Sequence, residues 1–387
     1  MLKVSKKCPN AGICGSCKLS NMPYLRQLEF KKDEVNKYFA KLFGADKYYL
    51  KNIIPSKRVT HYRNKMDFTI DFKKNVGLRQ SGYWNKVIDN HPCFISDTKI
   101  EELFYIVRNW VKSTPLLGYD RVKHTGFLRY AVIRSTSTGD TLVNIVSSPF
   151  TKDTPKEFAL SELQKLGANP KIKNLVLSIN PTITDLSYGN KIYTIKGRKF
   201  IMERILSFPY RISVNSFFQS NLYMSPTLLS LVLKNIKSLN SKKVLDLYSG
   251  LGFFTIPTSF KVKKAVGVEL SESSFRDAFY NIKINNAKNI KFLNISTEDY
   301  EFNKDDFDTV IVDPPRAGID KKTLSNILKS GTSNLIYVSC NYKTFALNLL
   351  ELEKEYTLKS LVGIDMFPQT PHLELLAVFT KSSKKFR

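Results

Sequence analysis

Apolar and polar residues alternate in two different ways along the chain, and the change comes near residue 213. In residues 53–200 the apolar runs are short and rich in β-branched and aromatic residues, with Gly, Asn and Asp turns between them. This pattern predicts a mixed α+β domain rich in antiparallel strands. The predicted strands include 66–72, 128–135, 141–147 and 191–195, and the predicted helices are 99–111 and 155–166.

From residue 213 onward, short apolar segments alternate with helical ones, which is typical of a doubly wound, mainly parallel α/β sheet. We therefore divide the chain into an α+β domain over residues 1–212 and a Rossmann-like domain over residues 213–387. The first domain opens with a cysteine-bearing loop and a helix predicted over 23–43. The strands predicted for the second domain are 244–247, 265–269, 290–294, 309–312, 335–339 and 375–380.

The formal net charge is +26, from 60 Lys and Arg residues against 34 Asp and Glu. Such an excess favours a polyanionic partner such as RNA, although solvated surface lysines are the alternative. The amino terminus lacks the apolar segment of a signal peptide, and the apolar runs are far shorter than the roughly 20 residues that span a bilayer. We expect a soluble, cytoplasmic protein with no membrane association and no obligatory protein partner.

A glycine turn follows the predicted strand 244–247. Gly250 and Gly252 allow a ligand to approach the backbone closely, whereas Phe253 and its neighbours replace the third glycine of a dinucleotide fingerprint. A two-glycine turn suits a nucleotide-like ligand without phosphates, such as S-adenosylmethionine. Glu269 ends the next predicted strand, where an acid accepts hydrogen bonds from ribose hydroxyls in this topology.

Three more candidates lie at predicted strand ends: Asp313, Cys340 and Glu374. Asp313 begins a two-proline turn that ends at Arg316, and a thiol at Cys340 is placed over the same cleft. A thiolate that adds to carbon 6 of a uracil makes carbon 5 nucleophilic toward a sulfonium methyl group, after which a base must remove a proton. Glu374 is the candidate base, and His372 could polarise a substrate oxygen. Each residue alone also has a structural explanation.

Four further thiols lie in two segments, and their spacing favours metal binding. Cys8, Cys14 and Cys17 come first, and Cys93 follows far along the chain. Thiolates bind either iron–sulfur clusters or zinc, but a zinc ribbon needs paired C-x2-C units and only one is present. Basic and aromatic residues over 58–65 and 121–130 are candidates for RNA contact, with an ordinary strand edge as the alternative.

These motifs together resemble the uracil-5 RNA methyltransferase family, whose members make 5-methyluridine in tRNA or large-subunit ribosomal RNA. The resemblance extends over nearly the whole chain. It rests on Cys8–Cys17, Tyr62–Lys65, Cys93, Ile212–Asn221, Asp246–Thr255, Asp313–Gly318, Ser339–Asn341 and Asp365–Glu374.

The resemblance implies roles for the candidate residues. Cys340 would be the nucleophile and Glu374 the proton acceptor in a covalent cycle. It also implies a [4Fe–4S] cluster on the four other cysteines and an RNA substrate, with 23S rRNA as first choice and the T-loop of tRNA second. The TRAM module that many members carry would be absent. The residues that would contact S-adenosylmethionine are Gln219, Tyr248, Glu269 and Asp313.

Two other functions compete with this interpretation. An exocyclic-amine methyltransferase shares the cofactor domain, but it usually carries an aromatic residue where Arg316 stands and needs no thiol. A noncatalytic iron–sulfur RNA-binding protein would need neither Cys340 nor a complete donor site.

Overall fold

The computed structural model of the chain describes residues 8–89, 91–302 and 306–382. The helices are α1 (Tyr24–Phe43), α2 (Thr98–Ser113), α3 (Lys156–Gly167), α4 (Ser225–Ser238), α5 (Thr255–Ser259), α6 (Glu272–Ile284), α7 (Lys321–Lys329) and α8 (Tyr342–Leu352). The strands are β1 (Ile53–Ile54), β2 (Lys65–Ile70), β3 (Val76–Arg79), β4 (Val87–Asp89), β5 (Leu128–Ser135), β6 (Thr141–Ser147), β7 (Leu175–Ile179), β8 (Lys191–Lys196), β9 (Phe200–Ile205), β10 (Phe208–Ser213), β11 (Lys243–Leu247), β12 (Lys264–Val268), β13 (Ile290–Leu293), β14 (Thr309–Val312), β15 (Asn334–Ser339), β16 (Tyr356–Ile364) and β17 (Glu374–Lys381). No helix within these described residues is long and apolar enough to cross a membrane.

The first sheet has seven strands in the order β4-β3-β2-β5-β6-β7-β8. Its pairs are antiparallel except β6 and β7, so the predicted α+β character is confirmed. The helices α2 and α3 pack on it, because each presents an apolar face that meets the apolar side of the strands. Phe104 and Leu163, for example, share one core with Phe68 and Ile133.

The second sheet has eight strands in the order β1-β16-β17-β15-β14-β11-β12-β13. The central strands are parallel, and β17 is antiparallel to both of its neighbours. Strand order reverses between β11 and β14, so the carboxyl ends of these two strands flank the crevice in which doubly wound folds bind ligands. The predicted doubly wound sheet is therefore confirmed.

The division at residue 212 needs a correction, because α1 and β1 pack with the second sheet. β1 pairs with β16 in parallel, with Ile53 opposite Gly363. Val35 and Phe39, one helical turn apart on α1, are fully buried in the core that also contains Leu245. The sequence pattern identified the helix but carried no signal for the sheet that its apolar face covers.

The segment between β10 and α4 joins the two sheets through buried hydrogen bonds. Arg134 of the first sheet donates to the Ser216 carbonyl at 2.6 Å, and the Asn64 amide donates to the Gln219 carbonyl at 3.0 Å. The Asn221 amide reaches the other way and donates to the Met366 carbonyl at 2.9 Å. These contacts hold Gln219 at the edge of the second sheet.

Candidate active site

The residues singled out at strand ends meet at one edge of the second sheet. The parallel strands β11, β12, β14 and β15 end there, and the antiparallel β17 begins there. The register places Ser339 opposite Leu375, so Cys340 and Glu374 are neighbours at this edge. The strand-end residues are Tyr248 after β11, Glu269 after β12, Asp313 after β14, Cys340 after β15 and Glu374 at the start of β17.

The glycine turn after β11 has an open face for a ligand. Gly250 has a φ of +57°, and a Cβ built on it would have no neighbour within 4 Å. Glu269 closes the turn, because its two carboxylate oxygens accept the backbone N–H groups of Gly250 at 2.8 Å and Ser271 at 2.6 Å. A carboxylate has further lone pairs, so Glu269 can also accept ribose hydroxyls. The Tyr248 hydroxyl donates to Asp320 at 3.0 Å, which leaves the tyrosine ring for ligand contact.

Several buried polar atoms at this edge have no partner within the described chain. They are Asp246 Oδ1, Ser249 Oγ and Glu374 Oε1. Burial raises the pKa of Asp246 to about 8, and Thr255 donates to its other oxygen at 2.5 Å. Buried polar atoms are normally satisfied, so these three fit a site that receives a polar ligand.

Cys340 is half-buried, and burial raises the pKa of its thiol to about 11. The carboxyl groups of Glu374 and Asp313 contribute to this rise, whereas the Arg316 guanidinium opposes it. A thiol with a pKa raised in this way needs positive charge nearby in order to ionise.

Arg316 is a positive group near this thiol, and the sequence analysis did not connect it with the ionisation of Cys340. Asn341, the N-cap of α8, donates to the Arg316 carbonyl at 2.9 Å, and the Thr344 hydroxyl donates to it at 3.2 Å. These bonds dock the two-proline turn on the first turn of α8, beside Cys340. The sequence did contain a sign of this contact, because a basic residue ends the stiff two-proline turn and a thiol follows the next strand.

Asp313 and Glu374 form a coupled pair of carboxyl groups. Burial raises the pKa of Asp313 to about 7, although Gln219 opposes the rise by donating to it at 3.2 Å. Burial and the neighbouring Asp313 raise the pKa of Glu374 well above its ordinary value, and Arg316 opposes this. The two carboxyl groups together therefore retain a proton near neutral pH. A general base works best when its pKa lies near the working pH.

A cavity of about 290 Å³ opens beside these groups and is lined by Arg316 and the segments 340–343 and 371–373. His372 lies in its wall. Burial, together with the positive charges of Arg316 and Lys31, lowers the pKa of His372 to about 4. His372 is therefore neutral at pH 7 and can exchange a hydrogen bond with a substrate oxygen.

The four other cysteines come together between the amino-terminal loop and the first sheet. Cys93 is buried and the others are half-buried. Burial and the thiols of Cys93, Cys14 and Cys8 raise the pKa of Cys17, so the two segments face each other. Among the residues that the structure describes, however, no group of three or more His, Cys, Asp or Glu side chains is arranged to hold a metal ion.

In one predicted RNA-contact segment, residues 121–130, only Lys123 and His124 of the predicted set are exposed. Arg129 and Arg121 in residues 121–130 are buried, and Phe127 and Tyr130 are buried beside them. Arg121 donates to the carbonyls of Ile70 at 2.8 Å and Arg129 at 2.9 Å. Both arginines therefore satisfy backbone carbonyls, which the sequence alone does not show. RNA contact by Lys123 and His124 stays a prediction.

A doubly wound sheet with its polar residues gathered at one carboxyl edge defines a nucleotide-binding α/β enzyme. Comparison with known proteins narrows this class. Residues 23–382 match the family model for tRNA (uracil-5-)-methyltransferase. The chain therefore belongs to this family, and it is an RNA uracil-5 methyltransferase.

Named relatives and a solved structure agree with this family. The tRNA (uracil(54)-C(5))-methyltransferase of Pyrococcus horikoshii is 34% identical over 97% of this chain and 86% of its own length. An uncharacterised RNA methyltransferase of Nanoarchaeum equitans is 37% identical over 98% of this chain and 80% of its own. The crystal structure of Pyrococcus abyssi tRNA (uracil-54, C5)-methyltransferase in complex with S-adenosyl-L-homocysteine is similar, with a TM-score of 0.80, 29% identity and coverage of 98% of this chain and 87% of that one.

Proposed function

We propose that this enzyme transfers a methyl group from S-adenosylmethionine to carbon 5 of the T-loop uridine at position 54 of tRNA. The relatives from Pyrococcus horikoshii and Pyrococcus furiosus carry that position in their names. The sequence analysis put 23S rRNA first and tRNA second, and the names of these relatives favour the opposite order. Ribosomal RNA is now the second candidate.

The methyl donor would lie on the glycine turn after β11. Glu269 would accept hydrogen bonds from its ribose hydroxyls, and the Tyr248 ring would pack against it. The open backbone at Gly250 and the unpartnered Asp246 oxygen support this placement. Gln219 donates to Asp313 at 3.2 Å, after the strand next to β11, and both would contact the donor and the target base.

The observation that carries the mechanism is the neighbouring position of Cys340 and Glu374 at the sheet edge. We propose that the Cys340 thiolate bonds to carbon 6 of uracil, which moves the carbon 5–carbon 6 electron pair into an enolate. Carbon 5 then takes the methyl group, and the donor leaves as a thioether. Glu374 removes the proton from carbon 5, the double bond re-forms, and the thiolate is expelled. The bond changes balance without any redox partner.

The RNA target is tested by mapping methylation on unmodified transcripts. The enzyme should place one methyl group on carbon 5 of uridine 54 in tRNA, and a transcript with cytidine at that position should receive none. A fragment of 23S rRNA serves as the competitor. If the rRNA fragment is methylated and the tRNA is not, the proposed tRNA target is wrong, although the reaction class still holds.

We further propose that Cys8, Cys14, Cys17 and Cys93 bind a [4Fe–4S] cluster with a structural role. The donor set supports this, because four thiolates are the usual ligands of such a cluster and each thiol here influences another. A cluster is wider than one ion, so its ligands need not converge on a point. Such a cluster would fix the amino-terminal loop to the first sheet.

Metal analysis tests this cluster assignment. Protein purified without oxygen should be brown and contain about four irons per chain. Cys93→Ser should lose both iron and solubility, because a structural metal site contributes to folding free energy. Colourless protein with one zinc per chain would contradict the assignment.

A further inference from the structure

The hairpin between β3 and β4 presents two aromatic side chains to solvent. Tyr83 is 47% exposed and Trp84 is 56% exposed, and both lie at the tip of the turn over residues 80–86. The turn is closed by the Gln80 N–H, which donates to the Lys86 carbonyl at 2.9 Å. Large aromatic residues exposed together on a well-formed turn indicate a binding surface.

The charge around these rings favours a nucleic acid. The Lys86 ammonium lies 3.8 Å from the centre of the Tyr83 ring, so a cation and two aromatic faces are presented side by side. A base can stack on an aromatic face while a lysine holds the adjacent phosphate. A protein partner would instead favour an interface centre depleted of lysine.

The hairpin is connected to the active site through the cysteine loop. Cys14 forms a β-bridge with Gln80, and the Ser81 N–H donates to the Ile13 carbonyl at 2.8 Å. Farther along the loop, the Leu19 N–H donates to the Gln369 carbonyl at 3.0 Å. Gln369 is in the segment that leads to His372, in the wall of the cavity beside Cys340.

Positively charged residues lie both beside the cavity and at the hairpin. Lys18, Arg63 and Arg316 are close enough to His372 to lower its pKa, and Arg316 lines the cavity. Lys86 lies at the hairpin tip beside Tyr83. Positive charge at both places favours an RNA whose phosphates contact both.

We infer that Tyr83 and Trp84 form a stacking platform for an unpaired nucleotide of the RNA substrate, remote from the target uridine. This inference rests on the proposed function for its choice of RNA. The platform gives affinity and places the RNA, and it takes no part in the chemistry. Stacking is tolerant of sequence, because every base has a π face.

The two tryptophans of the chain make the inference directly measurable. Trp110 is buried and donates to the Glu162 carbonyl at 3.1 Å, so Trp110→Phe leaves exposed Trp84 as the only reporter. Titration with tRNA in the absence of the methyl donor should quench its fluorescence, with the same midpoint as RNA binding in a filter assay. Unchanged Trp84 fluorescence at saturating RNA would overturn the inference.

Substitutions provide the second test. The double variant Tyr83→Ala/Trp84→Ala should bind tRNA about ten- to a hundredfold more weakly. Its KM for RNA should rise while kcat at saturating RNA and the affinity for S-adenosylmethionine stay unchanged. Trp84→Phe keeps an aromatic face and should retain most of the affinity.

Phe260→Ala is the matched control. Phe260 is 50% exposed but precedes β12, at the sheet edge opposite the active site, so its loss should not change RNA affinity. Equal RNA affinity of the double variant and this control would contradict the platform. Binding is measured without methyl transfer, so this test does not depend on which nucleotide is methylated. If the proposed target is wrong, the wild-type enzyme will bind tRNA but will not methylate it.

Discussion

Cys340 and Glu374 act at opposite ends of the proposed covalent cycle, so their variants should fail differently. Cys340→Ala leaves carbon 5 unactivated and should bind RNA and donor yet form neither product nor adduct. Glu374→Gln should still attack and transfer the methyl group, then accumulate a methyl-labelled protein–RNA complex on denaturing gels. Loss of a general base typically lowers the rate by about 10²–10⁴, so slow product is expected. Full-rate product from Glu374→Gln would exclude it as the base.

Arg316 should control the ionisation of the thiol. The pKa of Cys340 is about 11 with the Arg316 guanidinium in place, and because that charge lowers the pKa, removing it should raise the pKa further. The alkaline rise of the single-turnover rate for Arg316→Ala should therefore move to higher pH, with about a tenfold loss of rate at neutral pH for each unit of pKa. Arg316→Lys keeps the charge and should restore much of the rate. A lower rate with an unchanged pH profile would assign Arg316 to substrate binding alone.

At the residue scale, the sequence predicted which side chains gather at the sheet edge, because ligands bind at the carboxyl ends of parallel strands. The sequence also showed a basic residue, Arg316, at the end of the two-proline turn, but it did not show that Asn341 binds this turn against α8, beside the thiol. Nor could it predict that the Tyr248 hydroxyl is bonded to Asp320, a contact between residues far apart in the chain.

At the element scale, α1 is fixed to the loop before β17 by a buried ion pair. Lys31 donates to Asp365 at 2.6 Å, and neither side chain is exposed. Tyr24 also donates to this carboxylate at 2.8 Å. Lys31→Met would leave a buried carboxylate without its cation, which costs about 3–5 kcal/mol. Denaturant unfolding should show this loss of stability.

Lys37→Met, at an exposed position on the same helix, is the control and should change stability little. Adding Asp365→Asn to Lys31→Met should recover part of the loss, because the unpaired charge is removed. Equal stability of Lys31→Met and Lys37→Met would show that the pair does not anchor α1.

Strands with a clear pattern of apolar residues were predicted well, whereas β1 and β16 near the edge of the second sheet were not predicted. β5 and β6 coincide with the predicted strands, and every residue of both strands is buried. β1 has only two residues, and β16 alternates exposed polar positions with partly buried ones at the sheet margin. Such short or exposed segments form through pairing with a distant strand, which a local pattern does not reveal.

At the scale of the whole molecule, buried carboxyl groups make stability depend on pH. The pKa of Asp246 is raised to about 8 and that of Asp313 to about 7, against about 3.9 in an unfolded chain. Between pH 4 and these values the folded protein holds protons that the unfolded chain has lost. The free energy of unfolding should therefore fall as pH rises, by at most about 1.4 kcal/mol per pH unit for each group.

Asp246→Asn removes one of these groups and keeps an acceptor for Thr255. Its Tm, measured without ligands, should rise relative to wild type as pH increases from 5 to 8. Asp33→Asn, at an exposed position on α1, should follow wild type throughout. A Tm difference that does not vary with pH would mean that Asp246 is already ionised in the folded protein.

The central claim is that a thiol at the edge of this sheet activates uracil for methylation by forming a covalent intermediate. The most direct measurement uses tRNA with 5-fluorouridine at position 54, labelled methyl donor, and mass spectrometry of the digested complex. Fluorine on carbon 5 cannot be removed as a proton, so the cycle should stop with methylated RNA bonded to the peptide that contains Cys340. Recovery of methylated RNA without any protein adduct, or an adduct on another residue, would contradict the account.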